Sequence, residues 1–177
     1  VAAEPKSAAW SGLLARAYLF SGREADAVRQ IDAALKLAPN DPNVLELKAE
    51  IDYRNQRLKD AEATCLKVVE IAPKSAAAAA LLVRVRRADG RAEAAIEAAD
   101  AALKRIGKNG EVSLERGTAA LLLARVDEAI RDLETAAEQL PNDARPWQHL
   151  CVAYVRAGRK DDALAAKRRH AELQAKK

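Results

Sequence analysis

Apolar residues recur along the chain at spacings of three and four, in short stretches separated by Gly, Asn, Asp and Pro. Leu14, Ala17 and Tyr18 form one such set, and Ala27, Ile31, Ala34 and Leu35 the next. That spacing puts the apolar side chains on one side of a 3.6-residue helix. The pattern predicts paired helices over 8–21 and 24–37, 42–55 and 58–71, 76–88 and 92–106, 110–123 and 126–139, and 144–157 and 160–175. Strand-favouring residues are scarce, with aromatics at 3%, whereas alanine, the strongest helix former, is abundant. The chain reads as all-α.

The pairs repeat with a fixed period of thirty-four residues. Counting from Ala8 as position one, position twenty is Ala27, Ala61, Ala95, Ala129 and Ala163. Position eight is Ala15, Ala49, Val83, Gly117 and Cys151, and position fifteen is Gly22, Gln56, Gly90, Ala124 and Gly158. Position thirty-two is Pro39, Pro73, Gly107 and Pro141. Small residues at eight and twenty suit the crossing of two antiparallel helices. Glycine at fifteen ends the first helix, because it enters the left-handed conformation without penalty. Proline near thirty-two stops the second helix. The repeats therefore span 8–41, 42–75, 76–109, 110–143 and 144–177 as one array. Pro5 falls in phase with the closing prolines, and Trp10 lies near the face an earlier repeat would cover. Residues 1–7 thus read as the tail of a preceding repeat or a lead-in. The last repeat reads as a C-terminal cap, because Lys167 and His170 stand where earlier repeats carry Ile31 and Ala34.

The fifth repeat carries Trp147, Leu150, Cys151, Tyr154, Gly158 and Ala163, and the first carries Leu14, Ala15, Tyr18, Gly22, Ala27 and Pro39. This set resembles the tetratricopeptide repeat family, whose first helix reads W-x-x-L-G-x-x-Y. The middle repeats depart from it: Lys48 and Arg116 replace the leucine, and Asp52 and Arg86 the tyrosine. The resemblance implies an α-solenoid, a right-handed superhelix of antiparallel helix pairs with a concave wall made by the first helices. It also implies that first-helix positions two, five, nine, twelve and thirteen face a partner.

Those positions supply the candidate groove residues. Leu19, Phe20 and Tyr53 make an apolar, aromatic patch; Arg54, Arg84 and Arg87 gather positive charge; Leu114, Leu121 and Leu122 form a second apolar strip. Arg16, Glu46, Glu50 and Arg156 complete the set, with Thr118, Val152 and Val155 in the same columns. Arginine and aromatics often dominate binding energy. The expected partner is a protein segment or helix with apolar anchors flanking acidic residues, its carboxylates paired with Arg84 and Arg87. The carboxylate-clamp positions of co-chaperone relatives hold Gly12, Arg16, Leu47, Ala77 and Leu81, so that specificity is not expected.

Thirty Lys and Arg against twenty-six Asp and Glu give a formal charge of +4, a mild excess without a dense basic stripe. Interleaved Glu46, Glu50 and Glu111 argue against RNA binding. No apolar run approaches the ~18 residues of a membrane span. His149 and His170, the only histidines, lack ligand partners at metal-binding spacing, and no glycine loop or nucleophile–base set is present. Cys65 and Cys151 fall in core columns of different repeats, too far apart for a disulfide, and read as buried free thiols. The expectation is a protein-interaction scaffold without catalysis, cofactor or metal. The alternative is a substrate-recruiting or assembly region of a larger enzyme or complex. Self-association stays open, through the Trp10 face.

Overall fold

A computed structural model describes the backbone of residues 5–176 and the side chains of residues 9–176. The described residues form ten helices and no strand. They are α1 (Pro5–Phe20), α2 (Glu24–Leu37), α3 (Pro42–Arg54), α4 (Leu58–Ile71), α5 (Ala76–Ala88), α6 (Ala92–Ile106), α7 (Gly110–Leu122), α8 (Val126–Gln139), α9 (Arg145–Arg156) and α10 (Lys160–Gln174). They pack as sequential antiparallel pairs. Helix α1 begins at Pro5, so residues 5–7 are helical and continuous with it. Residues 1–4 of that expected tail lie outside the described residues. The chain divides into two compact units, Val1–Val85 and Arg86–Lys177.

The turns explain why every pair starts and stops in phase. Position fifteen is left-handed in all five repeats: Gly22, Gly90 and Gly158 have φ of 72°, 78° and 74°, and Gln56 and Ala124 adopt 59° and 56°. The arginine that follows closes the turn. The amides of Arg23, Arg57, Arg91, Arg125 and Arg159 donate to carbonyls five residues back, at 2.8, 2.8, 2.9, 3.0 and 2.9 Å. This six-to-one bond satisfies a carbonyl stranded at the first helix's end. At the other end of the repeat, Asp41, Ser75, Asn109 and Asp143 each accept a backbone N–H from the helix that follows. Such capping is worth about 1 kcal/mol per helix.

In the first unit, Ala15, Ala27, Ile31, Ala34, Val44, Leu47 and Ile51 form one buried cluster, with Tyr18, Leu19, Val28 and Leu35 packed around it. Position twenty is buried in all five repeats. In the second unit Gly117 marks a close crossing. A Cβ there would lie 2.8 Å from Leu133 Cγ and 3.2 Å from the Ala129 carbonyl oxygen. Here glycine's cost inside a helix is offset by the approach of α8.

The register also separates α1 from the later first helices. Positions three and six hold Val44 and Leu47 in α3, Ala78 and Leu81 in α5, and Val112 and Glu115 in α7, all buried. Val44 and Leu47 reach that state by packing on the repeat before them. The same positions in α1 are Trp10 and Leu13, which are 68% and 59% exposed. At the other end, Lys167 and Arg168 are exposed, and His170 Nδ1 lies 3.0 Å from the Ala144 carbonyl oxygen.

Candidate protein-binding faces

In the first unit the predicted residues lie on α1, α3 and α5. Phe20 is 89% exposed at the end of α1, and Leu19 is half-buried beside the core. Between α1 and α3 a pocket of about 320 Å³ is lined by Ala9, Gly12, Leu13, Arg16, Asp41, Asn43, Val44 and Leu47. Gly12 keeps it open, since a Cβ would already press on Val44 Cγ2 at 3.3 Å. Arg16 stands exposed at this pocket.

Further along, the charges answer one another. Glu50 holds Arg54 at 3.0 Å and Arg84 at 3.8 Å. The Arg84 guanidinium also lies 5.9 Å from the centre of the Tyr53 ring, an arrangement that favours a cation. Glu46 accepts a hydrogen bond from the Ser75 hydroxyl. The expected positive cluster is thus partly neutralised from within by Glu50.

The second unit departs further from the expected strip. Leu114 and Leu121 are 2% and 6% exposed, and only Leu122, at 61%, faces solvent. Helix α7 packs against α6, α8 and α9 together, which leaves it little open face. Exposed apolar surface comes instead from Leu122, Val152 and Val155. Arg87 pairs with the buried Glu115 at 3.2 Å. Arg156 donates to the Leu121 carbonyl at 2.5 Å, and Arg145 reaches Glu111 at 2.8 Å. The two valines occupied the right columns in the sequence; what was missing was their neighbours.

The departures from the W-x-x-L-G-x-x-Y pattern are structured. Asp52, at the tyrosine position, is 3% exposed and takes Lys48 at 2.6 Å and Arg57 at 2.6 Å. Arg116, at the leucine position, bridges Asp100 at 2.7 Å and Asp132 at 2.6 Å. Arg86 donates to the Ala94 carbonyl at 3.1 Å. Where tyrosine is kept, the arginine of the following turn stacks on it: Arg23 on Tyr18 and Arg159 on Tyr154, each at 4.5 Å. This arginine column, five in five, was visible at a thirty-four-residue step but carries no meaning until the turn places it beside position eleven.

Reactive chemistry is weak. Burial, with Glu46 and Glu50 nearby, pushes the Cys65 thiol up to about 12, so it stays protonated and a poor nucleophile. Cys151 is half-buried, not buried as its core column suggested. Burial and the nearby Arg87 charge lower the His149 pKa. No three His, Cys, Asp or Glu side chains among the described residues are placed to hold a metal ion. Among the same residues, no helix is long and apolar enough to cross a membrane.

Comparison with known proteins supports the fold. Residues 13–76 match the tetratricopeptide repeat family, and residues 108–176 match the bacterial transcriptional activator domain family. No curated protein matches the chain. Among solved structures, a thermophilic tetratricopeptide repeat protein of Thermus thermophilus is similar, with a TM-score of 0.81 and 22% identity over 94% of this chain and 91% of that one. The type IV pilus biogenesis factor PilW gives a TM-score of 0.82 and 18% identity over 95% of this chain and 78% of its own. MamA gives 0.70 and 21% identity over 98% and 94%. Domains of both matching families are typically non-catalytic, and tetratricopeptide folds commonly serve protein–protein interaction. The chain has a tetratricopeptide-like helical repeat fold.

Proposed function

We propose that the chain is an interaction scaffold that binds a polypeptide segment of a partner protein on the exposed faces of its first helices. The pocket between α1 and α3 carries this reading: it places apolar walls (Leu13, Val44, Leu47) beside the exposed guanidinium of Arg16. A segment with an apolar anchor and a neighbouring carboxylate fits that combination, with Phe20 adding an exposed ring at the end of the same helix. Arg84 and Arg87, the arginines that the sequence points to first, already face Glu50 and Glu115, and a partner carboxylate must compete with those. The carboxylate is therefore assigned first to Arg16.

Selection from a displayed peptide library against the immobilised chain tests this. Enriched peptides should pair an acidic residue with an apolar one, and Arg16→Glu should weaken their binding at least tenfold. Enrichment without acidic residues, or binding indifferent to Arg16→Glu, would remove the proposal. A second reading is an assembly or recruiting arm of a larger regulator. It is favoured by the likeness of residues 108–176 to a bacterial transcriptional activator domain.

A further inference from the structure

The crevices between a second helix and the next first helix follow a pairing rule. Position twenty-five of one repeat is answered by position seven of the next, sixteen residues on. Asp100 is answered by Arg116 at 2.7 Å. Asp32 lines the same crevice as Lys48, which also serves Asp52. Between α4 and α5 the two positions are both leucine, Leu66 and Leu82. In each of these three crevices the two positions hold an acid and a base or two apolar residues.

The crevice between α8 and α9 breaks the rule. Position twenty-five is Glu134, but position seven is Leu150. Glu134 accepts the Tyr154 hydroxyl at 2.7 Å and has no cation within 4.0 Å among the described residues; neither has Glu138, one turn further along α8. A pocket of about 270 Å³ opens here, lined by Glu134, Ala137, Glu138, Trp147, Leu150 and Tyr154. The nearby Arg159 stacks on the Tyr154 ring but is engaged with Asp162 at 2.7 Å. The buried indole Nε1 of Trp147 has no hydrogen-bond partner among the described residues. The Trp147 ring and two carboxylates that no cation approaches within ion-pair distance among the described residues make a receptor for an organic cation, while Arg159 already covers the Tyr154 ring.

We propose that this crevice binds a lysine or arginine side chain of a partner protein, which supplies the cation that Arg116 supplies internally one repeat earlier. The alkyl stem lies along Leu150 and Ala137, and the charged head lies between the Trp147 ring and the carboxylates of Glu134 and Glu138. This site is separate from the first-helix pocket of the first unit and does not depend on it.

The test uses the full chain carrying Trp10→Phe, so that Trp147 is the sole tryptophan reporter. N-acetyl-lysine methylamide and N-acetyl-arginine methylamide are titrated while the indole N–H resonance and fluorescence of Trp147 are followed, with the norleucine analogue as neutral control. The expected result is a saturable shift from both cationic probes, with dissociation constants on the order of millimolar, and none from the norleucine probe. Glu134→Gln with Glu138→Gln should weaken binding about tenfold. The single change Glu138→Gln, at an exposed residue without a hydrogen-bond partner, should weaken it about threefold with unchanged melting. A flat response, an equal response to the norleucine probe, or undiminished affinity in Glu138→Gln would overturn the proposal.

Discussion

Repeats two and five fill the same three slots in opposite ways. In repeat five, positions seven, eleven and sixteen are Leu150, Tyr154 and Arg159: a leucine 1% exposed and a buried ring with a guanidinium stacked on it. In repeat two they are Lys48, Asp52 and Arg57, a buried carboxylate held by two cations that are 38% and 50% exposed. Both close the same helix pair around the same buried alanine column. The slot is therefore not required to be apolar. In these two repeats it engages the arginine of the following turn, through a π face or a carboxylate; in repeats three and four the slot holds Arg86 and Ala120, and the turn arginines pair with Asp89 and Glu128 instead. The two solutions differ in strength, because a ring brings area out of water, whereas an ion pair near solvent loses most of its Coulomb gain to screening.

The largest test of that difference is truncation. Tyr154→Ala should cost about 3–5 kcal/mol and lower the denaturant midpoint of the second unit. The matching change Asp52→Ala should cost only about 1–2 kcal/mol, because Lys48 and Arg57 keep their access to water. Equal losses in urea melts, followed residue by residue with hydrogen exchange, would mean that the carboxylate is as deeply structural as the ring.

A smaller test exchanges the turn residues of the same two repeats. Gln56 adopts φ 59° where repeat five has Gly158 at 74°. Gln56→Gly should stabilise the chain by about 1 kcal/mol, and Gly158→Gln should destabilise it by the same amount. Nothing lies within 4 Å of a Cβ at Gly158, so packing does not obscure the comparison. Opposite or absent shifts in melting temperature would show that the left-handed conformation is not the controlling cost.

The smallest effect is a pH response confined to repeat five. His149 has its folded pKa lowered below 6.5, first by burial and then by Arg87. The unfolded chain therefore takes up this proton first as pH falls. Stability is intact above 6.5 and declines as pH drops through the window down to the lowered folded value. His149→Gln should abolish that part of the decline; an identical pH profile in the variant would assign the loss elsewhere.

Much of the architecture could be read from single positions. Alanine at position twenty, left-handed residues at fifteen and prolines near thirty-two located nine helices to within about two residues, and α1 differs only in starting at Pro5. The candidate faces were less legible. Phe20 and Arg16 are exposed as their columns implied, yet Leu114 and Leu121 share the register of exposed residues and are buried. Register places a side chain on one side of its helix but says nothing of how closely the adjacent helices cover that side.

The periodic columns by themselves determined that the chain is all-helical, where each helix begins and ends, and which small residues meet at the crossings, because these follow from backbone conformation and local spacing. Tertiary structure alone decided that Glu50 answers Arg84, that Arg116 bridges Asp100 and Asp132, and that Glu134 has no cation within ion-pair distance among the described residues. These partners are set by distances of a few ångströms between side chains from different helices, and no spacing along one helix encodes them.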